Sequence, residues 1–207
     1  MGDADDLSSA ATLSTYENHA DRYIQRTSTH RSALVDDLIG LTSPGAVVLE
    51  LGRGPGRDAL AMEDAGLIVH RTDGAASFVE RFHRDGFQAR VLNVLAEDFG
   101  GPFDAIYANA VLLHFPRARL ARVLATALRA TRVGGVLVAS FKKGVGDEWS
   151  MRKLEAPRHF TYWQEDELEQ VAVAAGWTSL NIIEATQPQS VEQWITVTAR
   201  KSARPSD

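Results

Sequence analysis

The chain of 207 residues contains no cysteine. That absence excludes disulfides, thiolate metal sites and a cysteine nucleophile together, and it is compatible with a cytoplasmic protein. No apolar run approaches the ~20 residues needed to cross a bilayer, so no membrane partner is expected. No basic stretch followed by an apolar one opens the chain, so no secretory signal is expected either. Positive charge is in short supply: 22 Lys and Arg face 27 Asp and Glu, a formal net charge of −5. Nucleic-acid binders ordinarily present a basic face, so this balance disfavours nucleic acid as a partner. Internal repeats and low-complexity linkers are missing as well. What is present, 44% hydrophobic and 24% charged residues, is ordinary for a single globular domain, monomeric or homodimeric.

Both ends are small and polar, MGDADDLSSA and KSARPSD. Residues 1–10 and 201–207 are therefore expected to be disordered, bounding a domain over 11–200. Within it, short apolar runs alternate with helical patterns. Strands are predicted at Ala46–Leu51, Leu67–Thr72, Gln88–Val94, Pro102–Ala108, Val136–Phe141, Trp177–Ala185 and Trp194–Ala199. Helices are predicted over Pro55–Ala65, Ala75–Arg84, Arg117–Arg132 and Glu165–Ala175, several of them followed by glycine. Strand–helix alternation argues for an α/β fold: a mostly parallel sheet covered by helices on both faces. The last two strands have no helix between them and are expected to form an antiparallel edge hairpin. Leu13–Arg26 and His30–Leu41 read as helices with no strand to follow, so residues 11–42 are expected to form a lid.

The chemistry concentrates where the first strand meets the first helix, in Glu50-Leu-Gly-Arg-Gly-Pro-Gly-Arg-Asp58. Ligands of open parallel sheets bind at the carboxyl ends of the strands. Gly52, Gly54 and Gly56 allow a sharp turn and close approach of a ligand to the backbone. Asp58 lies in the first helical turn, where the dipole favours a carboxylate. A dinucleotide fingerprint would need glycine at 57, where Arg57 stands, so a nicotinamide-dependent oxidoreductase is a poor fit. Glu50 at the strand end opposes phosphate and suits a cationic or hydroxyl-bearing ligand. Asp73 closes the second strand, where a carboxylate can accept from both hydroxyls of a ribose. Loop and carboxylates together read as a nucleoside site.

At these residues the chain resembles class I S-adenosylmethionine-dependent methyltransferases of the small-molecule branch. VLELGRGPGRDAL resembles that family's first motif and HRTDGAASFVE its second. PFDAIYANAVLLHFP and RVGGVLVASFKKG resemble the fourth- and fifth-strand motifs, and TYENHADRYIQRT the helical lid. The resemblance implies a Rossmann-like, seven-stranded sheet with a reversed last strand, and S-adenosylmethionine as cofactor with S-adenosylhomocysteine as product. It implies that Gly52, Gly54 and Gly56 face the methionine moiety and Asp73 the ribose. Gly74 and Phe78 would lie beside the nucleoside, Asn93 and Val94 at the adenine, and Asn109 and Ala110 under the cofactor. Tyr16 and Tyr23 would close over it. Arg53 departs from the small residue usual in the first motif. It could pair with Glu50, meet the cofactor's carboxylate or point to solvent.

Methyl transfer from a sulfonium asks mainly for positioning, with a general base where the nucleophile carries a proton. His114 follows the fourth strand and His159 the fifth; with Tyr162 they are the candidate catalytic groups. Lys142, Glu148, Trp149, Arg158 and Trp163 fall in a segment mixing aromatics with charges, and are the candidate substrate contacts. No set has metal-site spacing; His114, Glu148 and His159 come nearest. The expected function is methylation of O, N or S on a small metabolite. The alternatives are an enzyme that cleaves or cyclises the cofactor and a non-catalytic cofactor-binding protein.

Overall fold

A computed structural model describes residues 2–27, 30–52, 54–185 and 192–203, with side chains from Leu7 onward. Three helices come first: α1 (Gly2–Asn18), α2 (Ala20–Arg26) and α3 (Leu34–Leu41). Alternation then begins with β1 (Val47–Glu50), α4 (Arg57–Asp64), β2 (Ile68–Asp73), α5 (Ala76–Arg84) and β3 (Arg90–Val91). β4 (Phe103–Ala108) leads through a 3-10 turn (Leu112–His114) to α6 (Arg117–Ala130) and β5 (Thr131–Lys143). β6 (Asp147–Ser150), β7 (Arg158–Trp163), α7 (Glu165–Ala174), β8 (Thr178–Ala185) and β9 (Trp194–Arg200) complete the chain.

The sheet runs β3-β2-β1-β4-β5, with every one of these pairings parallel. β9 joins β5 in the opposite direction, and β8 joins β9 antiparallel. The strand–helix alternation and the reversed last strand thus appear as the sequence implies. The central strands are buried on both faces, as their continuous apolar runs require. Alternate residues enter opposite cores: Leu49, Ile106, Leu137 and Ala139 pack with α6 and α7, whereas Val48, Tyr107, Val136 and Val138 pack with α3 and α4.

Four features differ from the sequence reading. The segment expected to be disordered at the amino terminus is helical from Gly2, and Ser8, Thr12 and Thr15 are buried. The expected disordered tail falls partly outside the described residues, and Lys201 is held by its ammonium on the Leu128 and Thr131 carbonyls. The expected lid divides in two. α1 and α2 pack on α5 through Leu13, Tyr16, Ala20 and Phe78, beside the site. α3 is instead a sheet-covering helix, with Leu34, Val35 and Leu38 in the core. Finally, the segment after β5 is not an open connection. β6 and β7 pair antiparallel, and β7 pairs parallel to β5 at Lys142 and Lys143, beyond Ala139, the last β5 residue that β4 reaches. Since β9 holds the other edge of Lys142, the hairpin takes the edge that β4 leaves. It extends the sheet's carboxyl end, where the site lies.

Candidate functional site

Beyond β1 the chain turns through Gly52 at φ +63°, Gly54 at φ +52° and Gly56 at φ +81°. All three are left-handed, a conformation that costs any residue with a Cβ. Gly52 has a second constraint: a Cβ there would stand 2.3 Å from Val111 Cγ2. Gly56 is the residue that enters α4. Opposite the loop, Ala110 also has a positive φ, 56°, although it is not glycine. Its strained turn is held by its N–H on Ser140 Oγ (2.8 Å), whose hydroxyl donates to Asn109 Oδ1 (2.8 Å). Asn109 Nδ2 donates in turn to Asp58 (2.9 Å), which also accepts from Tyr107 (2.8 Å) and from the Ser32 N–H (2.8 Å). Asp58 therefore ties α4 to β4 and to the chain before α3. Burial, then the Asp58 charge, drives the Tyr107 phenol far up from its ordinary pKa, so it stays a donor.

On one side of this loop lies a cavity of about 600 Å³. Its walls come from Gly52, Gly54, Asp73, Gly74, Phe78, the stretch Leu92–Ala96, Asn109–Val111 and α1. Asp73 is buried and fixed by the N–H groups of Gly54 (3.2 Å) and Ala75 (2.9 Å). The carboxylate thus bridges the glycine loop and the start of α5. Asn93 turns its Oδ1 back to accept from the Leu95 N–H (3.0 Å), shaping the rim.

On the other side lies a larger cavity of about 1510 Å³. Glu50, Asp58, Lys142, Glu148, Trp149, Arg158, Phe160 and Tyr162 line it. The two cavities share Tyr16, Tyr23, Gly52, Gly54, Asn109, Ala110 and His114. At that junction His114 Nδ1 lies 2.7 Å from the His159 carbonyl, which can only accept, so Nδ1 carries the proton. Nε2 is then the acceptor for the Tyr16 hydroxyl at 2.9 Å. Burial pushes the His114 imidazole down to about 3, against the raising effect of that carbonyl bond. It stands neutral at physiological pH. Burial also drives the Tyr16 phenol well up, so it too is neutral.

The structure thus brings Tyr16, Tyr23, Glu50, Gly52, Gly54, Gly56, Asp58, Asp73, Gly74, Phe78, Asn93, Val94, Asn109, Ala110, His114, Lys142, Glu148, Trp149, Arg158 and Tyr162 onto the walls of two adjoining cavities. Arg53 lies outside the described residues. His159 and Trp163 line neither cavity. His159 Nε2 sits on Asp147 Oδ2 (2.8 Å), and its N–H donates to Thr12 (2.9 Å), tying β7 to α1. Trp163 is buried in the core beside Phe141, with the Arg117 guanidinium 4.2 Å over its ring. An inward strand position, not a site position, accounts for it. Ser140, Val111 and the face of α1 are lining residues that the sequence reading missed. Ser140 carried a signal, a lone hydroxyl in an apolar strand at its ligand-facing end. Among the described residues no group of three His, Asp or Glu is placed to hold a metal ion.

A family model described as a methyltransferase domain matches residues 16–182. No curated protein matches the chain in sequence. Solved structures resemble it in fold. One is 1,6-didemethyltoxoflavin-N1-methyltransferase from Burkholderia thailandensis, bound to 1,6-didemethyltoxoflavin and S-adenosylhomocysteine. It is 21% identical, covers 96% of this chain and 91% of its own, and has a TM-score of 0.77. A complex described as DhpI-SAM-HEP is 18% identical over 92% of this chain and 96% of its own, with a TM-score of 0.74. The [4+2]-cyclase SpnF is 15% identical over 95% and 98%, with a TM-score of 0.72. The family match spans both the glycine loop and the strands that frame the two cavities, and the chain belongs to this family of methyltransferase domains.

Proposed function

We propose that the smaller cavity binds S-adenosylmethionine and the larger one a small-molecule acceptor, with the methyl group passing between them. The observation that carries this reading is the junction: two cavities of different size meet over a left-handed glycine loop, with Asp73 on the wall of the smaller one. Asp73 would hold the ribose, Leu92–Ala96 and Phe78 the adenine, and Gly52, Gly54 and Ala110 the methionine part. The acceptor's lone pair attacks the methyl carbon as the carbon–sulfur bond breaks, and the bonding electrons stay on sulfur to give a neutral thioether.

In this reading Tyr16 and His114 position the reactants. A general base needs a pKa near the working pH. His114, pushed down to about 3 with its free lone pair already on the Tyr16 hydroxyl, is a poor proton acceptor. It orients Tyr16, and the acceptor reaches the junction with a lone pair already available.

Two of the similar structures are described as complexes with S-adenosylhomocysteine or SAM, which supports the cofactor. Another is named as a cyclase, so the fold alone does not carry the reaction. The test is calorimetry with S-adenosylmethionine, followed by mass spectrometry of reactions with a metabolite panel. Binding with release of S-adenosylhomocysteine is the expected result. Release of methylthioadenosine would establish cofactor cleavage instead, and absence of binding would overturn the reading.

A further inference from the structure

We propose that Arg158 and Lys153 hold an anionic group of the acceptor, a carboxylate, phosphate or phosphonate, in the larger cavity. The inference rests on the functional reading above and names the acceptor's chemical class.

Arg158 opens β7 and is only 6% exposed, yet lines the larger cavity. Its guanidinium donates to the Tyr16 hydroxyl (3.3 Å) and to the Arg152 carbonyl (2.6 Å), while its buried Nε has no hydrogen-bond partner among the described residues. Lys153 lines the same cavity, with its ammonium 4.3 Å from the Tyr23 ring centre. Among the described residues neither cation forms an ion pair. Three acidic side chains nearby have other partners. Glu192 takes Lys142 (2.7 Å), Glu148 accepts from Tyr162 (2.5 Å), and Glu155 pairs with Arg22 and Arg26. A buried cation without a counter-ion is unfavourable unless a ligand supplies one. Burial, and then the charges of Arg158 and Arg57, push the Lys153 ammonium down to about 8 against the opposing pull of Glu192, the shift expected where positive charge outweighs negative.

The backbone at Lys153 is also held in place. Lys153 has a left-handed φ of 70°, in a turn pinned by Arg26 on the Lys153 carbonyl (2.8 Å) and by Arg22 on the Leu154 carbonyl (2.8 Å). Strained residues fixed from several sides cluster at ligand clamps and other functional sites. Neither cation lines the smaller cavity, so the anion they await is the acceptor's rather than the cofactor's carboxylate.

The test uses inorganic phosphate as the probe, titrated calorimetrically at constant ionic strength into protein saturated with S-adenosylhomocysteine. Saturable binding is expected, weakened tenfold or more in Arg158→Gln and in Lys153→Gln, with S-adenosylhomocysteine affinity unchanged within threefold. Lys153 is partly exposed, so its variant reads the site even where Arg158→Gln fails to fold. Phosphate that does not bind, or binds equally well to the variants, would overturn the proposal. So would a tenfold loss of S-adenosylhomocysteine affinity in Lys153→Gln, which would assign the cations to the cofactor's carboxylate. Failure of the wild-type protein to bind S-adenosylhomocysteine is a separate result and strikes the functional reading itself.

Discussion

At the scale of the residue, Asp73 and Gly52 carry the site's shape. Removing the Asp73 carboxylate frees the Gly54 and Ala75 N–H groups and, on the proposed function, deletes a ribose acceptor. Asp73→Ala is expected to weaken S-adenosylhomocysteine binding by about 1–3 kcal/mol, measured by calorimetry. Gly52→Ala adds a Cβ against Val111 at a left-handed φ. It is expected to lower the melting temperature and abolish cofactor binding. Adding Val111→Ala should recover only part of the loss, since it removes the contact but not the backbone strain. The place of the glycines and Asp73 on the cavity walls was legible because residue type and spacing fix a turn at the strand end. His159 and Trp163 were misread because the sequence gives residue type without strand direction. Arg158 was legible as a charge, but its burial without an ion pair among the described residues belongs to the fold alone.

At the scale of the element, α1 explains why part of the chain was hard to read. Its buried stripe is Ser8, Thr12 and Thr15, at helical spacing but hydroxyl rather than apolar. A search for apolar periodicity passes over such a helix. The hydroxyls are spent on β7 and the turn before it: Thr12 accepts from the His159 N–H (2.9 Å) and Thr15 donates to the Pro157 carbonyl (2.6 Å). Thr12→Val leaves a buried N–H without a partner and should cost about 1–3 kcal/mol in denaturant unfolding. The β6–β7 hairpin was hidden for a related reason: its mixed charged and aromatic residues alternate less clearly than a half-buried strand's. α3 was assigned to the lid because no strand precedes it. Its apolar face was visible in sequence; the surface it covers was not.

At the scale of the whole molecule, the acid response should trace to His114. Its folded pKa of about 3 lies below the unfolded value of 6.5, so protonation favours the unfolded chain. That part of the stability is fully present above pH 6.5 and is lost as pH falls towards 3, at about 1.4 kcal/mol per pH unit. Between pH 6.5 and 5 most carboxylates stay ionised, so the slope there should fall by about one proton in His114→Gln, measured by melting at each pH. The architecture was legible in advance because buried parallel strands and glycine-terminated helices leave strong signals. The strand count was less so, since the strands at the hairpin depend on what β4 leaves uncovered.

One helix, α1, walls both cavities through Tyr16 and is stitched to β7 by Thr12 and Thr15. On the proposed function, cofactor and acceptor chambers therefore share one wall. Loosening those stitches should quicken the escape of both occupants together, making departure of the spent cofactor and the methylated product one kinetic event rather than two.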